Sequence, residues 1–201
     1  MPKNKWNESF SSPDYVYGKE VNKFIKKEAE RFDSTSNIAC LAEGEGRNAV
    51  YLATLGHTIT AYDISEVGLE KARTLANEHN VSISTKVIDL IEGDLPNAKY
   101  DHAILVFGHV HKNKQARLIN NMINTVKPGG LIMFEVYSKK QIHFDTGGPG
   151  HLDYLYDPSD ILELISEHDC KHFYYGEAKR FEGQRHNGKC HIIQVIIQKQ
   201  A

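Results

Sequence analysis

The chain has 201 residues, 40% of them hydrophobic and 25% charged, which suffices for one domain with a full core and excludes disorder as a description of the whole. Lys and Arg number 24 against 26 Asp and Glu, a formal net charge of -2. No global field draws in a polyanion, which argues against a general nucleic-acid binder. Three distant cysteines, Cys40, Cys170 and Cys190, form no CxxC pair; this excludes a disulfide framework or thiolate zinc site and suits reduced thiols in a cytosol. The start MPKNKWNESF holds no apolar run of a secretory signal, and no stretch approaches the roughly 20 apolar residues that span a bilayer, so a cytoplasmic protein without a membrane partner is expected.

Two periodicities then alternate along the chain. Residues 19–32 place Val21, Phe24, Ile25, Ala29 and Phe32 on one helical stripe. NIACLA (37–42) is a short apolar strand, RNAVYLATLG (47–56) a buried helix ending at Gly56, and HTITAYD (57–63) a β-branched strand. Ser65 is placed to cap a helix whose inner face holds Leu69, Ala72, Leu75 and Ala76. SISTKVI (82–88) and DHAILVF (101–107) read as strands, the second apolar on both faces as a central parallel strand should be. Leu118, Ile119, Met122, Ile123 and Val126 share a helical face over 115–126, KPGG (127–130) stops that helix, and LIMFEVY (131–137) is the next strand. Asp157-Pro158 starts a last helix with Ile161, Leu162, Leu164 and Ile165 on its core face. Two β-rich runs, 170–181 and 189–199, flank EGQRHNG and suggest an antiparallel hairpin.

Seven strands with helices between most of the first six mean an α/β, doubly wound sheet with helices on both faces. No repeat or linker divides the chain, so one domain over 1–201 is expected, with 1–36 as a cap segment and helix before the 37–201 core. DTGGPGH (145–151), with three glycines and a proline, is the candidate mobile loop or lid.

The most informative stretch is LAEGEGRNA (41–49), where Gly44, Gly46 and Ala49 satisfy GxGxxA between a strand and a helix. Such glycines allow a tight turn and let a ligand lie against backbone N–H groups. Asp63 follows Gly44 by 19 residues at the end of the second strand, where an acid accepts both hydroxyls of an adenosine ribose. Glu43 and Glu45 beside the glycines would repel a pyrophosphate and suit a ligand with ammonium and sulfonium charges, as S-adenosylmethionine has.

With these residues in view, the chain resembles the class I S-adenosylmethionine-dependent methyltransferases, and among them the small tellurite-resistance and thiopurine-type enzymes. The resemblance is carried by YVYGKEVNKF (15–24), LAEGEGRNAVYLATLGHTITAYDISEVGLEKA (41–72), the aspartate of IDL (88–90), VKPGGLIMFEVY (126–137), DTGGPG (145–150) and EGQRHNG (182–188). It implies a Rossmann-like sheet, mostly parallel, whose last strand is antiparallel. It implies S-adenosylmethionine as cofactor and S-adenosylhomocysteine as product. It further implies that Ala42, Glu43, Gly44 and Gly46 run along the methionine part and that Arg47 is in reach of its carboxylate. Asp63 would hold the ribose with Ile64 on the adenine, Asp89 and Leu90 would meet the adenine edge, and Phe107 and Gly108 would pass under the sulfonium. Tyr17 would lie over the cofactor and Tyr15 toward the acceptor. The chain departs from the family's first motif at Cys40, commonly an acid, and at Ala42, commonly glycine; Glu43 is the substitute carboxylate.

Methyl transfer is an in-line displacement that needs the acceptor about 3–3.5 Å from the methyl carbon. His109, directly after the fourth strand, is the candidate catalytic base, or otherwise a pocket wall. HxH at His109 and His111 lacks a third ligand in sequence reach, so no metal is expected. Arg185 and His186 in the hairpin turn are the candidate contacts to an anionic acceptor, through the resemblance, which folds that turn toward the acceptor pocket. No Pro-Pro or Pro-Cys pair of the base-methylating enzymes is present. The expected partner is a small-molecule methyl acceptor, a soft chalcogen oxyanion or thiol, with a protein or RNA acceptor and a non-catalytic S-adenosylmethionine-binding role as the rivals; the composition bears on no oligomeric state.

Overall fold

The computed structural model describes residues 3–200 and, of these, all side chains except that of Lys3. Its elements are α1 (Lys3–Phe10), α2 (Lys23–Glu28), β1 (Asn37–Leu41), α3 (Arg47–Thr54), β2 (Thr58–Asp63), α4 (Glu66–Glu78), β3 (Ser84–Val87), β4 (Tyr100–Val106), α5 (Lys112–Thr125), β5 (Val126–Tyr137), α6 (Pro158–Leu164), β6 (Asp169–Glu182) and β7 (His186–Gln198). The strands form one sheet in the order β3-β2-β1-β4-β5-β7-β6. β7 is antiparallel to both β5 and β6, and the pairings among β1 to β5 are parallel. This is the doubly wound, Rossmann-like sheet with an antiparallel last strand that the alternation of elements and the family resemblance lead one to expect.

The period of two along each strand divides the core between the faces. Ala39, Leu41, Ala103 and Leu105 point to one side, where Leu118, Ile119 and Met122 of α5 and Ile161 of α6 cover them. Ile38, Cys40, Ile104 and Val106 point to the other, against Phe24 and Ile25 of α2, Ala49 and Leu52 of α3 and Leu69 of α4. Strand order reverses at β1 and β4, and at such a switch point the loops leaving two neighbouring strands diverge and open a crevice at their C-terminal ends.

Four local expectations need correcting. α1 was not foreseen. The 19–32 stripe is not one helix: Asn22 caps α2 through Oδ1, which accepts from Phe24 N and Ile25 N, and a 3₁₀ turn over Ala29–Arg31 follows. KPGG does not separate helix from strand. It lies inside β5, with Gly129 at φ +83° and a register irregularity opposite Tyr100 and His102. Leu162 is 46% exposed, because α6 is short and buries Ile161 instead. Among the described residues, no helix is long and apolar enough to cross a membrane.

Candidate active site

A cavity of about 1000 Å³ opens at the C-terminal ends of β1, β2 and β4. Its floor is the turn between β1 and α3. Ala42, Gly44 and Gly46 all hold positive φ, at 52°, 60° and 90°. This explains why glycine is common at the position of Ala42: an L side chain there sits in the left-handed region, at a cost of about 1–2 kcal/mol. The two glycines have different duties. Gly44 lines the cavity, and its N–H donates to Asp63 Oδ2 at 2.9 Å. Gly46 does not line it; a Cβ there would lie 2.5 Å from Ala72 Cβ, so this glycine admits α4 to close packing on the turn. The sequence-based ligand role of Gly46 is thereby corrected to a packing role.

Glu43 is buried, and its Oε1 accepts from Asn48 N at 2.9 Å and Ala49 N at 2.8 Å. It caps α3, whose N-cap residue Gly46 has no side chain to do so. Burial pushes its carboxyl up to about 7 against those two N–H donors and the nearby Arg47. Glu45 behaves otherwise. Its Oε1 meets Lys71 Nζ at 2.5 Å and its Oε2 accepts from Tyr17 N at 3.3 Å. Lys71 therefore neutralises it, and of the two carboxylates beside the glycines only Glu43 is without a cationic partner within ion-pair distance among the described residues.

Asp63 is buried at the end of β2, with Oδ2 engaged by Gly44 N and Oδ1 by Ser65 N at 2.8 Å. A carboxylate has about four lone-pair sites, so two acceptor sites remain, the number a vicinal diol needs. Burial raises the Asp63 carboxyl above its ordinary range, opposed by the backbone donors. Ile64, Asp89 and Leu90 line the same wall. Asp89 Oδ1 accepts from Ile91 N at 2.8 Å, and Oδ2 makes no hydrogen bond among the described residues.

The opposite wall is aromatic. Phe107, at φ 55°, stacks on Tyr137 with centroids 4.4 Å apart and 17° between planes. His186 packs edge-on to Phe107 at 4.5 Å and tilted on Tyr17 at 4.7 Å. Gly108 lines the cavity, and its carbonyl accepts from Tyr156 Oη at 2.8 Å. His109 also lines it, but both ring nitrogens are committed: Nδ1–H donates to Tyr154 O at 2.8 Å and Nε2 accepts from Tyr137 N at 3.3 Å. Desolvation pushes its pKa down to about 4. A neutral ring with no free lone pair is a wall and not a base, which corrects the first of the two roles expected for it.

Arg47 lines the cavity but is already spoken for, its Nη2 lying 2.7 Å from Glu182 Oε2. Tyr15 is outside the cavity. Its hydroxyl donates to Lys71 O at 3.0 Å, Lys71 and Lys19 lie over its ring, and it packs against Val50 and Leu75; the expected acceptor contact is not there. The hairpin turn does fold toward the cavity, as the family resemblance implies, with His186 buried and the exposed Arg185 reaching Ser9 Oγ at 2.7 Å.

Several lining residues escaped the sequence reading. Trp6, Ser9 and Phe10 come from α1, which crosses the cavity mouth. Trp6 and Phe10 stack at 5.5 Å, and their i, i+4 spacing was the one available signal. Gly147, Gly148 and Pro149 of the glycine loop line the cavity beside the hairpin turn. That loop is tied to the hairpin by Asn187 N to Thr146 O at 3.0 Å and Thr146 Oγ1 to Lys189 O at 2.6 Å.

Known proteins resemble this chain in sequence and in fold. A methyltransferase-domain family model matches residues 38–130, from β1 into β5. The probable S-adenosyl-L-methionine-dependent methyltransferase TehB of Haemophilus influenzae (strain 10810) is 27% identical over 105 residues, 51% of this chain and 36% of that protein. The ubiquinone biosynthesis O-methyltransferase of Rickettsia akari (strain Hartford) is 28% identical over 141 residues, 63% of this chain and 55% of that one. The chain thus matches between about a third and about half the length of these curated relatives. The crystal structure of TehB from Haemophilus influenzae superposes with a TM-score of 0.75 at 16% identity, covering 98% of this chain and 67% of that one. Magnesium protoporphyrin IX methyltransferase from Synechocystis PCC 6803, with bound SAH, gives 0.71 at 14% identity, covering 98% and 97%. At these identities the likeness is one of fold.

Proposed function

We propose that this chain is a class I S-adenosylmethionine-dependent methyltransferase, resembling TehB, and that it methylates a small molecule through a soft atom, a thiol or chalcogen oxyanion. When bound, S-adenosylmethionine supplies an electrophilic methyl carbon on a sulfonium. The residues of the floor and first wall hold it. Asp63 accepts from the ribose hydroxyls with the two sites that Gly44 and Ser65 leave open. Asp89 accepts from the adenine amino group, Ile64 and Leu90 pack on the ring, and Glu43 faces the ammonium. Phe107 and Gly108 orient the sulfonium toward the second half of the cavity.

The observation that carries the soft-acceptor reading is the character of that second half. Tyr17, Phe107 and His186 enclose it, and His109 has no lone pair to offer. Such walls position an acceptor and exclude water, which is the main requirement when the acceptor brings its own nucleophilicity. Arg185 at the rim favours an anion.

The test is transfer from labelled S-adenosylmethionine to 2-mercaptoethanol, selenite, tellurite, catechol and a primary amine. Transfer to the thiol or an oxyanion in preference to the others is the expected result. Transfer confined to catechol, an oxygen acceptor as the Rickettsia O-methyltransferase takes by name, or to the amine would overturn the soft-acceptor reading. Absence of calorimetric binding by S-adenosylhomocysteine would overturn the cofactor reading itself.

A further inference from the structure

The aromatic wall conceals a buried polar network. Glu135 of β5 and Arg180 of β6 form a bidentate pair, with Arg180 Nε 2.9 Å from Glu135 Oε1. Asn22 Nδ2 bridges Glu135 Oε1 at 2.8 Å and Glu182 Oε1 at 3.0 Å. Glu182 Oε2 takes Arg47 Nη2 at 2.7 Å, and Gln194 Nε2 donates to Glu135 Oε2 at 2.6 Å. Two carboxylates and two guanidiniums make the network neutral, so its own charges are balanced without any further group.

His186 stands between this network and the cavity. It is 5% exposed, and its Nδ1 is buried with no hydrogen-bond partner, 3.7 Å from Glu182 Oε2. That separation is too long for a hydrogen bond and too short for an intervening water. It is a poised contact of the kind that tightens when a site fills. Burial lowers the His186 pKa, with Glu182 opposing and Arg47 assisting, so the resting ring is neutral. Despite its own burial, the Glu182 carboxyl is held down to about 2 by His186 and Arg47, so it stays ionised. A neutral imidazole beside a fixed carboxylate puts its proton on the nitrogen facing that carboxylate.

We infer that Glu182 is a positioning residue for the methyl transfer: it holds His186 as the Nδ1–H tautomer, so that Nε2 offers its lone pair to the cavity and accepts the proton of an acceptor that enters as X–H, such as a thiol. The inference rests on the methyl-transfer reading above and narrows its acceptor to one that enters still protonated. The acceptor's electron pair forms the X–CH₃ bond, and the methyl–sulfur bond breaks with its pair going to sulfur. The X–H proton passes to His186 Nε2, and from there to water when the site opens. The imidazolium so formed is a single extra positive charge on a neutral network, and Glu182 Oε2 is the nearest compensating atom. The charged and titratable groups around the ring are Glu182 and Arg180 from β6, Glu135 and Tyr137 from β5, Arg47 from α3, and His109, Tyr17 and Arg185 from the flanking loops. The alternative is that Glu182 is only the counter-ion of Arg47, in which case its removal changes stability and leaves the ring chemistry alone.

The experiment is ¹⁵N-histidine spectroscopy of the full chain with S-adenosylhomocysteine, with His186 assigned from His186→Asn. The wild type is expected to show neutral Nδ1–H at pH 7.5. Glu182→Gln removes a negative charge and should lower the protonation midpoint of His186 by about 1–3 pH units. Arg47→Gln removes a positive charge and should raise it. Opposite displacements are a signature that mere loosening of the fold does not produce. An Nε2–H tautomer in the wild type, or a midpoint that neither variant moves, overturns the inference. If Glu182→Gln does not fold, the rise in Arg47→Gln decides alone. Calorimetry of S-adenosylhomocysteine on the wild type keeps the two readings apart: absent binding removes the methyl-transfer reading, while the His186–Glu182 coupling is judged from the spectra.

Discussion

Replacing Glu43 by Gln is expected to stabilise the free protein and weaken its hold on the cofactor at once. The folded carboxyl titrates at about 7 against an ordinary 4.5, because burial outweighs the N–H donors of Ala49 and Asn48. A raised acid pKa means that the folded state holds the proton more tightly than the unfolded chain. The stabilisation from the neutral form is therefore complete below about pH 4.5 and is lost as pH rises through about 7. The displacement is about 2.5 pH units, and at 1.36 kcal/mol for each the ionised group costs the fold about 3 kcal/mol above pH 8. Glutamine keeps an oxygen for Asn48 N and Ala49 N and carries no charge. For a chain of this size about 1 kcal/mol moves Tm by roughly 2–4 °C. Glu43→Gln should thus melt about 6–12 °C above wild type at pH 8.5 and only about 2–3 °C above it at pH 5. Calorimetric melting across that range is the assay. A difference independent of pH, or a variant less stable at pH 8.5, would refute the reasoning and leave Glu43 as a helix cap only. In parallel, affinity for S-adenosylhomocysteine should rise in the wild type from pH 6 to 8 as Glu43 ionises opposite the ammonium, and be at least about tenfold lower in the variant at pH 8, since a charged hydrogen bond contributes roughly 1.5–3 kcal/mol.

Asp63→Asn should lower that affinity at least about tenfold by calorimetry for the same reason, while the protein still folds. Gly46→Ala forces a methyl onto Ala72 and a side chain into φ +90°, so Tm should fall by an amount corresponding to about 2–4 kcal/mol; because Gly46 lies outside the cavity, the folded fraction should bind S-adenosylhomocysteine as wild type does. Ala42→Gly relieves a left-handed alanine at φ 52° and should raise Tm by roughly 2–4 °C. His109→Asn should lose less than about tenfold in single-turnover transfer, against the roughly 10²–10⁴-fold expected for removing a general base, and should retain the pH profile.

Where structure follows from local pattern, the sequence was informative. β1 and β4 carry apolar residues at the inward positions of both faces, with the buried His102 as the polar exception, and Ser65 and Asp157 cap their helices as their side chains dictate. α1 was hidden because its order is not local. Only Trp6 and Phe10 recur at helical spacing, and the helix is held by Ser65 Oγ to Asn7 Oδ1 at 2.7 Å, by Lys71 Nζ on Phe10 O and by Arg185 on Ser9. KPGG misled for a related reason. Glycine and proline normally punctuate, yet a Cβ at Gly130 would strike the Asp101 carbonyl, so here the glycine admits a neighbouring strand.

The candidate site divides along the same line. Its first wall is backbone geometry, and glycines, a strand-end acid and their spacing betray such geometry in the chain itself. Its second wall is an electrostatic arrangement among residues far apart in sequence: Asn22 meets Glu135 and Glu182 across 113 and 160 positions, and Arg47 meets Glu182 across 135. No periodicity records such encounters. The one local trace is that Arg180 and Glu182 turn toward the interior although β6 is an edge strand whose other residues are mostly exposed. Charged side chains directed inward from an edge strand are expensive unless each meets a partner, since an uncompensated buried charge costs about 3–5 kcal/mol. Such an arrangement, placed directly behind a cavity-lining histidine whose Nδ1 is buried without a hydrogen-bond partner, is where a requirement other than folding acts on the sequence.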